Sequence, residues 1–399
     1  MTTLFLALFW VSVAVIVYTY AAFPVILVVR GWLWPKPHEE ASITPSVTLI
    51  VAAYNEANII EAKLKNTLAL DYPRDRLQVI VASDGSADGT NEIVRRYAAQ
   101  GISLLDLPRG GKNAALNAAV EHASGEILVF SDAPSMYAPD AIRELTRHFA
   151  DAAVGGVAGS QVYLEGEGSA SLSGSAEDLY WGLDQKLKEL QSRGGNVTSA
   201  TGAIYAIRRE LFRRILPHVV DDSYVSIGIV AQGKRLVYAP KARAFEPLAE
   251  SGDKEFGRKL RVSMMGMYSV LETPGLFNPF VHGFYSLQIF THKILRRMLF
   301  VPLIMLFVAS IFLWPLGMLY QLAAIAQALF YLLALAGMFA ERAHISQRLT
   351  TRWPRKVLAA PYYFCMVYVA TMITVIRILR GKRMDRWETS NRTDVELSP

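Results

Sequence analysis

The chain has 399 residues, 52% of them hydrophobic, with 41 basic and 35 acidic side chains and a formal net charge of +6. A mean hydropathy of +0.24 excludes a protein that is soluble along its whole length. The basic excess flanks the apolar blocks (Arg30, Lys36, Lys293, Arg296, Arg297, Arg355, Lys356, Arg377, Arg380), which points to contact with anionic membrane lipids rather than to nucleic-acid binding.

In chain order, residues 4–29 are almost free of charge and long enough to span a bilayer. They lack the basic start and short core of a secretory signal. Residues 1–31 therefore read as a transmembrane helix, and Arg30 and Lys36 behind it place the next domain in the cytoplasm. Residues 46–272 have globular composition and enough length for a sizeable core. Residues 273–298 read as an interfacial amphipathic segment, and 299–340 as two transmembrane helices joined at Pro315-Leu316-Gly317. Residues 357–379 are either a further span or a re-entrant, interfacial helix. The interfacial reading is favoured, because a further crossing would put the basic tail, 380–399, outside. The lone Cys365 allows no intrachain disulfide, which fits a cytosol-facing catalytic part.

The globular part alternates strand and helix. An apolar run at 47–53 ends in Tyr54-Asn55-Glu56 and is followed by a helical pattern (Ile59, Ile60, Ala62, Leu64). A second run at 77–82 leads into Ser83-Asp84-Gly85-Ser86, and a third at 127–130 into Ser131-Asp132. Helices are expected at 88–98, 112–123 and 139–150, the last with Pro139 in its first turn, followed by a short strand near Val154. The pattern predicts an α/β domain with a doubly wound, mostly parallel sheet, whose ligand crevice lies at the carboxyl ends of the strands. Beyond it come a long helix at 171–191, a strand at 200–207, a helix at Arg209 and another starting near Asp222.

Several residues carry chemistry if they converge. Asp84 follows a strand directly, although an isolated Asp-Gly-Ser is mostly a turn. Asp88 reads as a helix cap. Gly110-Gly111-Lys112 puts backbone amides and a cation at a helix start, which suits a diphosphate, but lacks the full phosphate-loop spacing. Asp132 closes a buried strand. Asp221-Asp222 opens a helix, where acids serve as cap and dipole partners or, alternatively, as a general base. Arg258 and Arg261 share one helix face just before the membrane. Tyr180 and Trp181 either pack in the core or stack on a sugar ring. Trp387 reads as an interfacial anchor.

As an ordered set, Tyr54-Asn55-Glu56, Asp84-Gly85-Ser86, Gly111-Lys112-x-x-Ala115-Leu116-Asn117, Ser131-Asp132-Ala133, Thr201-Gly202-Ala203-x-x-Ala206-x-Arg208-Arg209 and the acidic pair resemble the membrane-integrated family-2 glycosyltransferases. These include synthases of cellulose, hyaluronan, chitin and poly-N-acetylglucosamine. The resemblance implies a GT-A type nucleotide-sugar-binding domain flanked by transmembrane helices. It also implies an inverting hexosyltransferase that moves a sugar from a UDP-linked donor to a growing polysaccharide or glycan at the inner, cytoplasmic membrane. The alternatives are single-sugar transfer to a lipid acceptor and a catalytically weak nucleotide-sugar-binding subunit.

By the same resemblance, Tyr54, Glu56 and Asp84 would hold base and ribose, and Lys112 the diphosphate. Asp132 would hold a divalent metal, Mg or Mn, and Asp222 would be the base. Thr201, Gly202 and Ala203, together with Tyr180, Trp181, Arg258 and Arg261, would face the acceptor. The chain departs from the family in three places. Pro134 stands where a second metal-binding Asp is usual. The acidic pair is Asp-Asp rather than Glu-Asp. Val262 follows Arg261 where processive enzymes carry Trp, which weakens the case for a long polymer.

Overall fold

The computed structural model describes residues 1–164, 172–247, 252–342 and 352–382. Within them a mixed sheet is built from β1 (Val47–Ala53), β2 (Leu77–Asp84), β3 (Ile102–Leu107), β4 (Ile127–Asp132), β5 (Met136–Tyr137), β6 (Val154–Leu164), β7 (Tyr205–Arg208) and β8 (Arg235–Pro247). The spatial order is β3-β2-β1-β4-β7-β6-β8-β5. The first four strands in that order are parallel, and β6 runs parallel to β8. β7 is antiparallel to both β4 and β6, and β5 is antiparallel to β8. The sheet is therefore mostly parallel, as expected, but mixed rather than uniformly wound.

Alternation along β1 explains the layering. Leu49 and Val51 point into one core with Ile60 and Leu64 from helix Ala57–Leu68 and with Ile142 and Leu145. Ile50 points into the other with Leu116, Ile227, Ile229 and Met264. With both faces covered, a parallel strand reads as a continuous apolar run, which is why β1 and β4 are visible in the sequence.

Several elements differ from expectation. β3 is buried only at Ile102, with Leu104, Leu105 and Leu107 half-buried, and its exposed polar Ser103 and Asp106 hide it as an edge strand. The expected strand at 200–207 shrinks to Tyr205–Arg208, and residues 201–204 form the turn before it. The expected helix at 88–98 is the shorter Thr90–Arg95. Gly89 is its N-cap at a φ of 94°, a conformation that only glycine adopts freely. Asp88 Oδ1 still accepts from Thr90 N (3.1 Å), while Oδ2 accepts from Ala57 N (3.0 Å), so this one carboxylate ties two helix starts together. Pro139 lies before, not inside, helix Ala141–Thr146, whose N-cap is Asp140.

Outside the sheet, three helical stretches among the described residues are long and apolar enough to cross a membrane: Thr2–Leu33, Met318–Arg342 and Val357–Leu379. A bent pair, Phe284–Met298 and Phe300–Phe312, meets at 50° and passes the same test jointly. The chain turns at Trp314–Leu316 and Gly317 between helices Phe300–Phe312 and Met318–Arg342. The latter helix leaves Leu322, Ile325, Leu329, Leu332 and Leu335 exposed, a stripe that suits lipid. The basic tail from residue 383 on, Trp387 included, lies outside the described residues.

Candidate active site

The parallel strands β1, β2 and β4 all end at the same sheet edge, so Tyr54, Asp84 and Asp132 emerge into one crevice. A cavity of 1440 Å³ opens there, walled by Tyr54, Asp84, Lys112, Asp132, Gly202 and Asp222. Its far wall includes Tyr20 and Tyr363, Phe364 and Tyr368 from the apolar helices, so the crevice is continuous with the membrane segments.

Three charged groups meet at Gly202. Lys112 Nζ lies 2.6 Å from Asp132 Oδ1 and 3.1 Å from Asp221 Oδ2. A Cβ placed on Gly202 would stand 3.0 Å from Asp132 Oδ2, 3.5 Å from Asp222 Oδ2 and 3.7 Å from Lys112 Nζ. Asp132, Asp222 and Lys112 thus come from three separate elements and face one small space that a methyl group would fill.

Electrostatics within this group are uneven. Burial works against the charge on Lys112, but Asp132 and Asp221 more than offset it, so the ammonium is held above its ordinary pKa. The Asp222 carboxyl is pushed up to about 6, first by burial and then by the charge of Asp221, with Lys112 and Lys293 opposing. Two adjacent acids thus differ in role. Asp221 is buried and paired with the lysine, while Asp222 is partly exposed and holds its proton more tightly than an ordinary carboxylate. A carboxylate with a raised pKa in a cleft is suited to general-base work near neutral pH.

The end of the crevice expected to hold a nucleotide is built differently from expectation. The Gly110 and Gly111 amides do not face a free anion site. They donate to the Asp84 carboxylate at 2.6 Å (Gly110 N) and 2.9 Å (Gly111 N), and Arg109 Nη1 also bonds Asp84. Asp84 is buried beneath them, and its acceptor positions hold this loop rather than facing the cavity unengaged. Gly85 makes the approach possible. Its φ is +69°, and a Cβ there would meet Arg109 N at 2.8 Å. The loop in turn places the Arg109 guanidinium 3.6 Å above the Tyr54 ring. Asn55, at a φ of 53°, is stitched to the same region, accepting from Ala87 N (2.9 Å) and donating its own N–H to Ser86 Oγ (3.1 Å). Glu56 also lines the cavity, and its N–H donates to Thr90 Oγ1 at 2.9 Å.

Thr201, Gly202, Ala203, Arg258 and Arg261 line the same cavity. Thr201 Oγ1 is buried with no hydrogen-bond partner, which leaves it available to a ligand. The side chains of Tyr180 and Trp181 lie outside the described residues. The sequence reading missed Arg109 and also missed Lys63. Lys63 is fully buried under β4, donating to Ser131 Oγ at 2.8 Å and to the Ser135 carbonyl. Burial pushes its pKa down to about 7. Ser135 Oγ in turn donates to Glu246, which also accepts from Gln161 Nε2 at 2.6 Å. This network holds the loop that carries Asp132 from beneath.

A divalent metal fits the site only in company with a diphosphate. Asp132 turns Oδ2 toward the cleft while Lys112 holds Oδ1, and Pro134 offers no side-chain ligand. One carboxylate suffices for Mg or Mn when phosphate oxygens and water complete the shell.

Comparison with known proteins agrees with this geometry. Residues 48–216 match the family described as Glycosyl transferase family 2. A poly-beta-1,6-N-acetyl-D-glucosamine synthase of Staphylococcus aureus is 26% identical over 231 residues, which is 56% of this chain and 55% of that protein. The probable glycosyltransferase YdaM of Bacillus subtilis is 23% identical over 257 residues, 60% of this chain and 59% of that one. The chain thus spans little more than half the length of the curated relatives it matches. Among solved structures, the mannosyltransferase PcManGT of Pyrobaculum calidifontis, in complex with GDP-Man and Mn2+, superposes with a TM-score of 0.63. It has 26% identity over 92% of this chain and 99% of that one. The family match begins on β1 and ends five residues before Asp221, so the segment that builds the strand-end crevice is similar to family-2 glycosyltransferases, and the fold is of the GT-A type.

Proposed function

We propose that the chain transfers a sugar from a nucleoside diphosphate donor, with inversion, to a growing glycan at the cytoplasmic face of a membrane. The observation that carries this is the meeting of Lys112, Asp132 and Asp222 at Gly202, where strands that bind nucleotides in such folds come to an end. The base of the donor lies at the Tyr54–Arg109 end, and UDP is the first candidate. The GDP-Man in the Pyrobaculum enzyme makes GDP the second.

In the reaction, Asp222 takes the proton of the acceptor hydroxyl as that oxygen attacks the anomeric carbon. The carbon–oxygen bond to the diphosphate breaks on the opposite face, and the leaving diphosphate departs with the electron pair. Lys112 stands beside Asp132 to offset charge on the diphosphate oxygens. A Mg or Mn ion held by Asp132 would supply Lewis-acid neutralisation of the same charge. Thr201 Oγ1, buried without a partner at the cavity wall, would bond a sugar hydroxyl.

A second reading concerns the acceptor. The cavity wall carries Arg258, Lys259, Arg261, Arg296 and Arg297 next to the aromatic side chains of the apolar helices. Cations at the meeting of a polar cleft and a membrane helix suit the phosphate of a lipid acceptor. One experiment separates the readings. Membranes are incubated with radiolabelled UDP- and GDP-sugars and Mg or Mn, and the product is partitioned between organic solvent and a sized aqueous polymer. Label in neither fraction with any donor contradicts the proposed transfer.

A further inference from the structure

At the opposite end of the sheet from the cleft, the linker between the first apolar helix and β1 passes under the start of β6. Here His38 Nε2 lies 2.7 Å from His148 Nδ1, and Glu40 Oε1 lies 3.6 Å from the former and 3.5 Å from the latter. His148 is buried, His38 partly so, and Glu40 is exposed. A triangle with these edges has a circumradius of about 1.9 Å, so a point just above its plane lies at zinc-bond length, about 2.0–2.2 Å, from all three atoms.

We propose that His38, His148 and Glu40 form a binding site for a zinc-class divalent ion that staples the linker to the catalytic domain.

Several features support the site. The donor set, two imidazoles and one carboxylate, suits zinc and is a poor match for Mg or Mn, which prefer oxygen ligands. Arg147 Nε pairs with the other carboxylate oxygen, Glu40 Oε2, at 3.2 Å, which turns Oε1 toward the rings. In the empty pair, one ring donates to the other; both ligate once that proton has moved to the donor ring's second nitrogen. Asp151, which accepts from Glu39 N at 3.4 Å, adds negative charge against the nearby cations Arg147 and Arg235. The exposed side at Glu40 leaves a fourth position for water.

The linker is already guided to this place. Arg235 donates to the carbonyls of Lys36 (2.8 Å) and Pro37 (3.0 Å), and Ala41 N donates to Arg147 O (3.2 Å). An ion would add a crosslink 110 residues apart in sequence, between a segment leaving the membrane and the back of the sheet.

The test uses the full chain in detergent, free of any affinity tag, stripped with chelator and then titrated with zinc(II) alone, cobalt(II) alone and manganese(II) alone. The expected result is one zinc per chain, cobalt with the intense visible bands of four-coordinate geometry, and a zinc-dependent rise in thermal midpoint. Manganese gives no such rise in the absence of donor. His148→Asn removes the stoichiometric zinc, Glu40→Gln weakens it at least tenfold, and Asp132→Asn leaves it unchanged. Equal zinc uptake by wild type, His148→Asn and Glu40→Gln overturns the proposal, as does octahedral cobalt in the wild type. Should His148→Asn not fold, His38→Gln and the exposed Glu40→Gln decide on the same readouts.

Discussion

Gly202→Ala isolates the meeting point of the site from the rest of the fold. The added methyl would stand 3.0 Å from Asp132 Oδ2, closer than a methyl normally approaches an oxygen, and within 3.7 Å of Lys112 Nζ. Gly202 is not among the residues with positive φ, so alanine fits the backbone there without strain. Folding stability should therefore change by less than about 1 kcal/mol, since the smaller entropy of the unfolded chain works in alanine's favour. Catalysis should not be spared. Asp132 must retreat by a few tenths of an ångström, and the methyl fills the space where the proposed donor diphosphate and its ion would sit. Displacement of a reacting group by about 1 Å costs on the order of a hundredfold, so the expected loss in kcat/KM is about 10- to 100-fold, or roughly 1.4 to 2.7 kcal/mol of transition-state stabilisation. The assay is initial-rate transfer of radiolabelled sugar in membranes, beside a thermal unfolding scan of the same variant. Wild-type kcat/KM in a normally folded Gly202→Ala protein would refute the claim that transfer takes place between these three side chains.

Other perturbations separate the roles. The rate of transfer should rise with pH through an apparent pKa of about 6 as Asp222 loses its proton, and a profile flat between pH 5 and 7.5 contradicts its role as base. Because that pKa is raised on folding, the folded state binds the proton more tightly. The associated stability is present below the unfolded value of about 3.8 and is lost as pH rises through 6. Asp222→Asn should accordingly unfold at a higher temperature than wild type at pH 7.5 and show a smaller gain at pH 4.5. Lys63→Met strips the donor from Ser131 Oγ and the Ser135 carbonyl, and should cost roughly 3 kcal/mol in denaturant unfolding; a loss within error would mean the buried amine does not hold the Asp132 loop. Arg109→Ala should raise KM for the donor more than it lowers kcat, because its guanidinium sits on Tyr54 rather than at the reacting carbon; an effect confined to kcat would displace it from the nucleotide end.

Much of the scaffold was legible because burial on both faces leaves a plain mark. β1, β2 and β4 are apolar runs that stop where the chain reaches the crevice and must meet water, so Tyr54, Asp84 and Asp132 stand out at their ends. β3 and β8 were not visible. β3 is an edge strand with polar positions, and β8 carries Pro240, Lys241 and Arg243 through a register shift against β6. The candidate site was legible as an ordered set of motifs, but not its internal wiring. Asp84 and the Gly110-Gly111 amides look like two separate ligand-binding features in the sequence, yet in space they bond each other. The cause is the tight passage at Gly85, which no local pattern announces. Lys63 lies between Glu61 and Lys65, two exposed neighbours that pair with each other, and nothing in its spacing marks it as buried. His38 and His148 are likewise brought together only by the path of the linker.

The most direct measurement compares wild type and Asp222→Asn for donor binding and for transfer in the same preparation, with the donor that labels product best. The account predicts an unchanged donor Kd and a loss of turnover of at least a hundredfold in the variant. Equal turnover, or turnover and binding lost together in a folded protein, would contradict it.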